Sequence, residues 1–518
     1  MSIGLRHVAA GSVASAAVCV VVTATTAGSS QAVGAPSGPA WTGFANNAQH
    51  TAVAPVTPQP LDHIHWHVKV DHDPGTIRSD DGPASHYASP MITSTNTVIV
   101  PTRLRTRRGF EVVAYSGADG TRLWRFHTDA TTPLDSEPQS PPPLPATLQD
   151  DTHVAVAGAG GTLLIRRHVN RAGGGVRRVA FYGVDRWRAH RRAYRRDVHI
   201  TTPLTAGPDG SLYFGFAATP DAPGHLRNGI ARISPSGRGS WVSARALAGR
   251  HRGAHVVDNC APALSNDGRT AYVALLSGKV SSLVGFHSTD LRPAYRHELR
   301  DPQTHKPASI LFDASSATPT IGPDGDVFYG VLGNPLVKHD VRGWLLHFDP
   351  HLTKVETPGS FGWDQSVSVV PASSVPSYQG SSSYLLVSKY NNYTVGPHGD
   401  GRNELALLDP HAAQKDDYSR VQVMREVSTV LSPHHPPHTP KGSRYEWCVN
   451  SIAVDPTTGT AIANNEDGRL YRWNLETNTL DEEIRLGPGV GQAYTMTVVG
   501  PDGTSYAIEN AILYAVGN

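Results

Sequence analysis

The chain has 518 residues, 17% of them charged, with 50 Gly and 40 Pro; so many helix breakers exclude a long-helix protein and suit short strands joined by turns. A formal charge of +1 provides no global field to select a membrane surface or nucleic acid, and no nucleic-acid partner is expected. Three cysteines exclude a disulfide-dense scaffold and a cysteine-rich metal framework.

Residues 1–32 read as a secretory signal. Arg6 and His7 form a short basic start, Val8 to Val22 is an apolar run, and small residues follow, with cleavage expected after Ala27 or Ala32. The run is too short and too rich in Ala, Ser and Thr for a membrane span. Cys19 follows Val18, where a lipidation site needs a small residue. No later segment is apolar for long enough to cross a membrane, so the mature chain is expected to be secreted, soluble and monomeric. An irregular extension is expected over residues 33–60.

Next comes LDHIHWHVKVD (61–71), a strand by its alternation. His63, His65 and His67 share one face and are expected to point to solvent, with Ile64, Trp66 and Val68 packed on the other. Imidazoles at that spacing also suit Zn²⁺ or Cu²⁺.

An apolar strand, a Gly/Pro/Asp turn and a second strand then recur eight times. The copies are SPMITSTNTVIVP (89–101), PPLPATLQDDTHVAVAG (142–158), TPLTAGPDGSLYFGF (202–216), APALSNDGRTAYVAL (261–275), TPTIGPDGDVFYGV (318–331), SVSVVPASSVPSYQGSSSYLLVS (366–388), NSIAVDPTTGTAIAN (450–464) and TMTVVGPDGTSYAIE (495–509). Pro fixes φ and Gly accepts positive φ, so Pro-Asp-Gly and Asn-Asp-Gly make the turns. Most copies precede a second hairpin; FEVVAYSGADGTRLWRFHT (110–128) is the clearest. Two hairpins make a four-stranded antiparallel unit that buries both faces only when units stack radially. The eighth copy is followed only by AILYAVGN (511–518), one strand short, and the strand around Trp66 supplies the missing one, with Trp66 placed as Trp124 is in RLWRFHT. The expected fold is all-β, an eight-bladed propeller of four-stranded antiparallel blades over residues 61–518, closed by an N-terminal strand in the last blade. Seven blades is the alternative.

ANNAQHTAVAPV (45–56) and SGADGTRLWRFHT (116–128) resemble the repeats of quinoprotein-like (PQQ-like) β-propellers, which typically have eight blades. Quinoprotein dehydrogenases of that superfamily carry a vicinal cysteine pair beside the cofactor. No two cysteines adjoin here and the cofactor-binding acid pattern is absent, so pyrroloquinoline quinone is not expected. Non-enzymatic members act as binding or assembly scaffolds, and the chain resembles those more.

In a propeller the residues just before each blade's first strand converge at the channel mouth. That position holds His86, His199, Asp258, Asp313, Asp364 and Glu446. The four carboxylates suit Ca²⁺ through oxygen ligands, hydrogen bonds from glycan hydroxyls, or paired acid and base work. Each also suits a local turn cap. Between Arg166 and Arg196 stand eleven Arg and one acid, Asp185. Within that run Arg186, Arg188, Arg191, Arg192, Arg195 and Arg196 suit a polyanion; the plain alternative is a solvated outer strand. Cys260 and Cys448 remain after signal removal and are a candidate disulfide, two buried thiols being the other reading. HHPPH (434–438) reads as a loop, and Asn392-Tyr393-Thr394 matches a glycosylation acceptor. Two function classes follow: a secreted binding or scaffold protein that recognises an extracellular glycan, polyanion or protein, or an enzyme at the channel mouth, either a degenerate quinoprotein or a carbohydrate-active hydrolase or lyase.

Overall fold

Asp-Gly turns set the strand pattern. In the turns at Asp209, Asp267, Asp324 and Asp502, Oδ1 accepts the backbone N–H two residues on. Gly210, Gly268, Gly325 and Gly503 take the positive φ that closes each turn. The computed structural model describes residues 38–518 except 75–84, 106–108, 131–143, 309–316, 340, 393–394, 397–398, 438, 440–441, 448, 490–492 and 495.

The strands form eight antiparallel sheets arranged as an eight-bladed propeller. Blade 1 runs from its inner strand Met91–Ile92 to its outer strand Arg122–Thr128, and blade 2 from Ala146–Asp150 to Val176–Ala180. Blades 3 and 4 run from Thr205–Ala206 to Gly239–Ser243 and from Ala263–Leu264 to Pro293–Glu298. Blade 5 runs from Thr320–Ile321 to Trp344–Phe348, and its fourth strand is irregular, bridging Gly359 to Leu345 and Val355 to Phe348. Blades 6 and 7 run from Ser368–Pro371 to Gln422–Leu431 and from Ala453–Asp455 to Thr479–Arg485. Blade 8 holds Val498–Val499, Ser505–Glu509 and Ile512–Gly517, and its outer strand is His63–Lys69. All eight sequence copies are inner hairpins, which resolves seven against eight blades. Among the described residues no helix is long and apolar enough to cross a membrane.

The closing strand pairs antiparallel with Ile512–Gly517, Trp66 opposite Ala515. Trp66 is buried between blades, and its indole N–H donates to Gly117 O of blade 1 at 2.9 Å. Trp124 repeats the device one blade on, donating to Val169 O at 2.6 Å. His63, His65 and His67 are exposed as expected. Ile64 is exposed too, because the pairing register shifts between Ile64 and Trp66 and turns it off the packed face.

The segment Gly38–Gln59 has little regular structure, yet it lies at the centre of the ring. One N–H in the inner strand of six blades donates to it: Ile92 to Trp41, Leu148 to Thr42, Leu264 to Ala48, Ile321 to Gln49, Val369 to Thr51 and Val454 to Ala52. Gln59 reaches blade 8, its N–H donating to Gly503 O. The inner strands have a free edge toward the axis, and a buried unpaired N–H is costly; the segment satisfies that edge blade after blade. A strand lining an open channel would wet alternate residues. Here Met91, Ile92, Ala263, Leu264, Thr320, Ile321, Val498 and Val499 are all at most 1% exposed, so the channel is filled at this level. Trp41, Ala45, His50 and Ala52 of the segment are equally buried.

Candidate functional site at the channel mouth

The plugged level adjoins the turns that join first to second strands. The opposite end, where the chain enters each inner strand, is the mouth. Its loops also include the turns between second and third strands.

Asp364 ends the crossover into blade 6 at φ 56°, a left-handed conformation that Asp tolerates better than most side chains, and it is buried. The next residue, Gln365, ties this loop to the second strand of blade 6, Tyr384–Asn391: its Oε1 accepts Lys389 N–H at 2.7 Å and its Nε2 donates to Ser388 Oγ at 2.8 Å. That strand carries Lys389, 4% exposed. Glu446 lies in the crossover into blade 7. Its neighbour Trp447, fully buried, is clamped to Asn391 by paired bonds of 3.1 and 3.3 Å, and Glu446 O accepts Glu466 N–H. Three segments thus bring Asp364, Lys389 and Glu446 together. Burial pushes the Glu446 carboxyl up to about 7; the Lys389 ammonium pulls it down and Asp364 adds to the rise.

The acidic sector extends round to blade 8. In the second turn of blade 7, Asp467 Oδ2 meets His434 Nδ1 at 2.7 Å and Tyr471 Oη at 2.5 Å, and Oδ1 accepts Arg469 N–H. Glu509 ends the second strand of blade 8, 1% exposed, with Oε1 lacking a hydrogen-bond partner. Burial, then Asp467, pushes it up to about 8.

Of the residues expected at the mouth, Asp364 and Glu446 therefore meet. Asp258 stands half-buried before blade 4, two blades from Asp364. Asp313 lies outside the described residues. His86 belongs to a short strand, Ser85–His86, that pairs parallel with Ala493–Tyr494. His199 is half-buried in an added strand, Val198–Ile200, on the second strand of blade 3, its Nε2 3.3 Å from Arg196 O. The sequence reading missed Lys389, Asp467 and Glu509. Asp467 and Glu509 sit at or just beyond the ends of second strands, which reach the mouth as surely as residues before first strands do, and the repeat register carried that signal; Lys389 lies inside its second strand, Tyr384–Asn391, where the register gave none.

The arginine-rich run differs from the outer strand considered for it. Arg177 and Arg178 do lie in the outer strand of blade 2, but Arg186 and Arg188 sit on the helix Val184–Ala189, and Arg191, Arg192, Arg195 and Arg196 on the helix Arg191–Asp197. All six helical arginines are exposed while Trp187 and Tyr194 are buried beneath. Each short helix is anchored by one buried aromatic, Trp187 on the first and Tyr194 on the second, with its arginines turned to solvent. Tyr194 stacks on Tyr182 at 4.0 Å. Arg188 pairs with Asp185, Arg195 with Asp129 and Arg196 with Asp197. The helices lie in the crossover from blade 2 to blade 3, hence on the mouth face.

Asn392 is buried, its amide donating to Asp400 and Tyr418, so it is not presented for glycosylation. Cys260 carries a free thiol, pushed up to about 12 by burial; Cys448 lies outside the described residues.

No family model and no curated protein matches the chain. Solved structures do. A europium-containing methanol dehydrogenase aligns with TM-score 0.52 at 9% identity, covering 90% of this chain and 89% of that one. A quinohemoprotein alcohol dehydrogenase from Comamonas testosteroni aligns with TM-score 0.52 at 11% identity, covering 94% of this chain and 78% of that one. Likeness at such identity carries the fold alone. The chain has the quinoprotein-like eight-bladed propeller fold.

Proposed function

We propose that this protein is a secreted binding protein whose ligand is a polyhydroxyl compound of the glycan class, held at the channel mouth over Asp364, Lys389 and Glu446. The observation that carries this reading is the almost wholly buried Lys389 set beside two carboxylates, Asp364 and Glu446, the latter pushed toward its neutral form by burial. That group offers donors and acceptors with little net charge, which suits sugar hydroxyls. It suits Ca²⁺ less, because Lys389 repels a cation. The arginine helices on the same face suit sulfate groups on such a ligand. Pyrroloquinoline quinone has no part in this reading: Cys260 is followed by Ala261, not a second thiol, and the channel beyond the mouth is packed with the chain's own N-terminal segment.

The test is a glycan array with neutral and sulfated members, followed by calorimetry of the best ligand. Asp364→Asn and Glu446→Gln should each weaken binding at least tenfold while Asp258→Ala leaves it unchanged. Equal affinity in all four proteins would overturn the reading. The Glu446 carboxyl also favours a second one, general acid catalysis on a bound glycan. It requires new reducing ends or unsaturated products by mass spectrometry, lost in Glu446→Gln; intact ligand after prolonged incubation refutes it.

A further inference from the structure

The turn face of the ring, opposite the mouth, holds a second constellation. The inner turn of blade 5 carries Asp324 and Asp326, joined across Gly322–Asp326 by a backbone hydrogen bond. His411 comes from blade 6. Its third strand, Asn403–Lys415, breaks register between Asp409 and Ala413, and this bulge carries His411 to the neighbouring turn. Donor atoms of Asp324, Asp326 and His411 all lie within 4.8 Å of one another. His411 Nε2 is 3.0 Å from Asp324 Oδ2, with both side chains more than a third exposed.

Both carboxylates are oriented from behind. Tyr384 Oη donates to Asp324 at 3.0 and 3.1 Å from its two oxygens. His347, its side chain 1% exposed, aims Nε2 at Asp326 Oδ2 from 2.8 Å, and its Nδ1 has no hydrogen-bond partner. The His347 ring stacks on Phe328 at 4.5 Å, which holds it in place, and its one ring hydrogen bond goes to the carboxylate, an arrangement that fixes a ligand carboxylate. The nearby cation, Lys354, is drawn off into a 2.5 Å pair with Glu356.

We propose that Asp324, Asp326 and His411 form a binding site for a first-row divalent metal ion, with Zn²⁺ the best fit. Two carboxylates and one imidazole match the mixed oxygen and nitrogen set such ions take, whereas Ca²⁺ and Mg²⁺ want oxygen alone. Bond lengths of about 2.0–2.2 Å from Zn²⁺ to each donor span the observed 3.0 Å separation with small movement. Three protein ligands at a solvent-exposed turn leave the remaining position to water or to a partner's side chain. His347 and Tyr384 are positioning residues.

The test is calorimetric titration of ZnCl₂ into the metal-stripped, untagged full-length chain, in a His63→Ala/His65→Ala/His67→Ala background so that the outer-strand histidines do not compete. One Zn²⁺ per chain is expected. His411→Ala and Asp324→Asn should each remove it, and His347→Gln should weaken it roughly ten- to a hundredfold. Melting in EDTA confirms that each variant folds. Co²⁺ is a second probe: visible d–d bands should appear in the same His63→Ala/His65→Ala/His67→Ala background and vanish on ZnCl₂ addition. Absence of those bands, absence of Zn²⁺ binding, or binding that survives His411→Ala would each overturn the proposal.

Discussion

At the plugged end of the channel His50 is buried as a neutral imidazole, its Nδ1 2.8 Å from Pro319 O and its ring edge-on to Phe44. At the mouth Glu446 and Glu509 are carboxyls that hold their protons to unusually high pH. Burial does the same thing in both places, penalising the charged form. The consequences are opposite in sign. Burial holds His50 at about 4, so the folded ring binds fewer protons there than the unfolded chain as pH falls below 6.5. Glu509, held at about 8, makes the folded ring bind more protons than the unfolded chain as pH rises above 4.5. The plug is thus the acid-sensitive end and the mouth the alkali-sensitive end. The plug is a finished core that satisfies inner-strand edges; the mouth retains groups whose protons remain available to a ligand.

The strongest way to break this comparison is to remove the plug. Deleting residues 1–57 leaves the inner-strand N–H groups without acceptors and the channel unfilled, so the cooperative melting transition should disappear; a truncated chain that melts with the full one would refute the plug's role. Trp41→Ala, a cut within the plug, and Trp66→Ala, at the ring closure, should each cost about 3–5 kcal/mol in urea unfolding. A smaller effect separates the two ends by sign. Glu509→Gln should flatten the loss of stability between pH 4.5 and about 8, a slope of at most about 1.4 kcal/mol per pH unit. His50→Gln should instead flatten the loss between pH 6.5 and about 4. Denaturation midpoints across pH 4–8 for both variants check this, and equal slopes in variant and parent would refute it. The smallest effect is expected at the mouth itself: Asp364→Asn should leave stability within roughly 1 kcal/mol, because it eases repulsion with Glu446 as it removes a polar partner.

The fold was legible because its code is local and repeated. Pro-Asp-Gly and Asn-Asp-Gly at 208–210, 266–268, 323–325 and 501–503 fix hairpins wherever they occur, and Trp66 matched Trp124 by position in the strand before either partner was known. The mouth was half legible. Asp364 and Glu446 follow from the register, but Lys389 lies inside an apolar strand, and its relevance depends on Gln365 and Trp447 drawing two crossovers onto that strand. The arginine helices were misread because eleven arginines in a strand-rich chain mask Trp187 and Tyr194, the single aromatic that anchors each short helix.

The sequence by itself determined the all-β propeller class, the strand order within a blade and the closure of the ring by the strand around Trp66, since hairpins, turns and alternation depend on neighbours a few residues apart; eight blades rather than seven was settled by the structure. Tertiary structure alone decided that residues 38–59 run round the inside of the ring. That segment has no periodicity of its own, and its bonds to the ring join residues far apart in the chain, as in Trp41 with Ile92 and Gln59 with Gly503. It decided the two charged sites as well. Asp324 meets His411, and Asp364 meets Glu446, only because each blade lays its loops beside those of the next, and no spacing along the chain records which loops will touch.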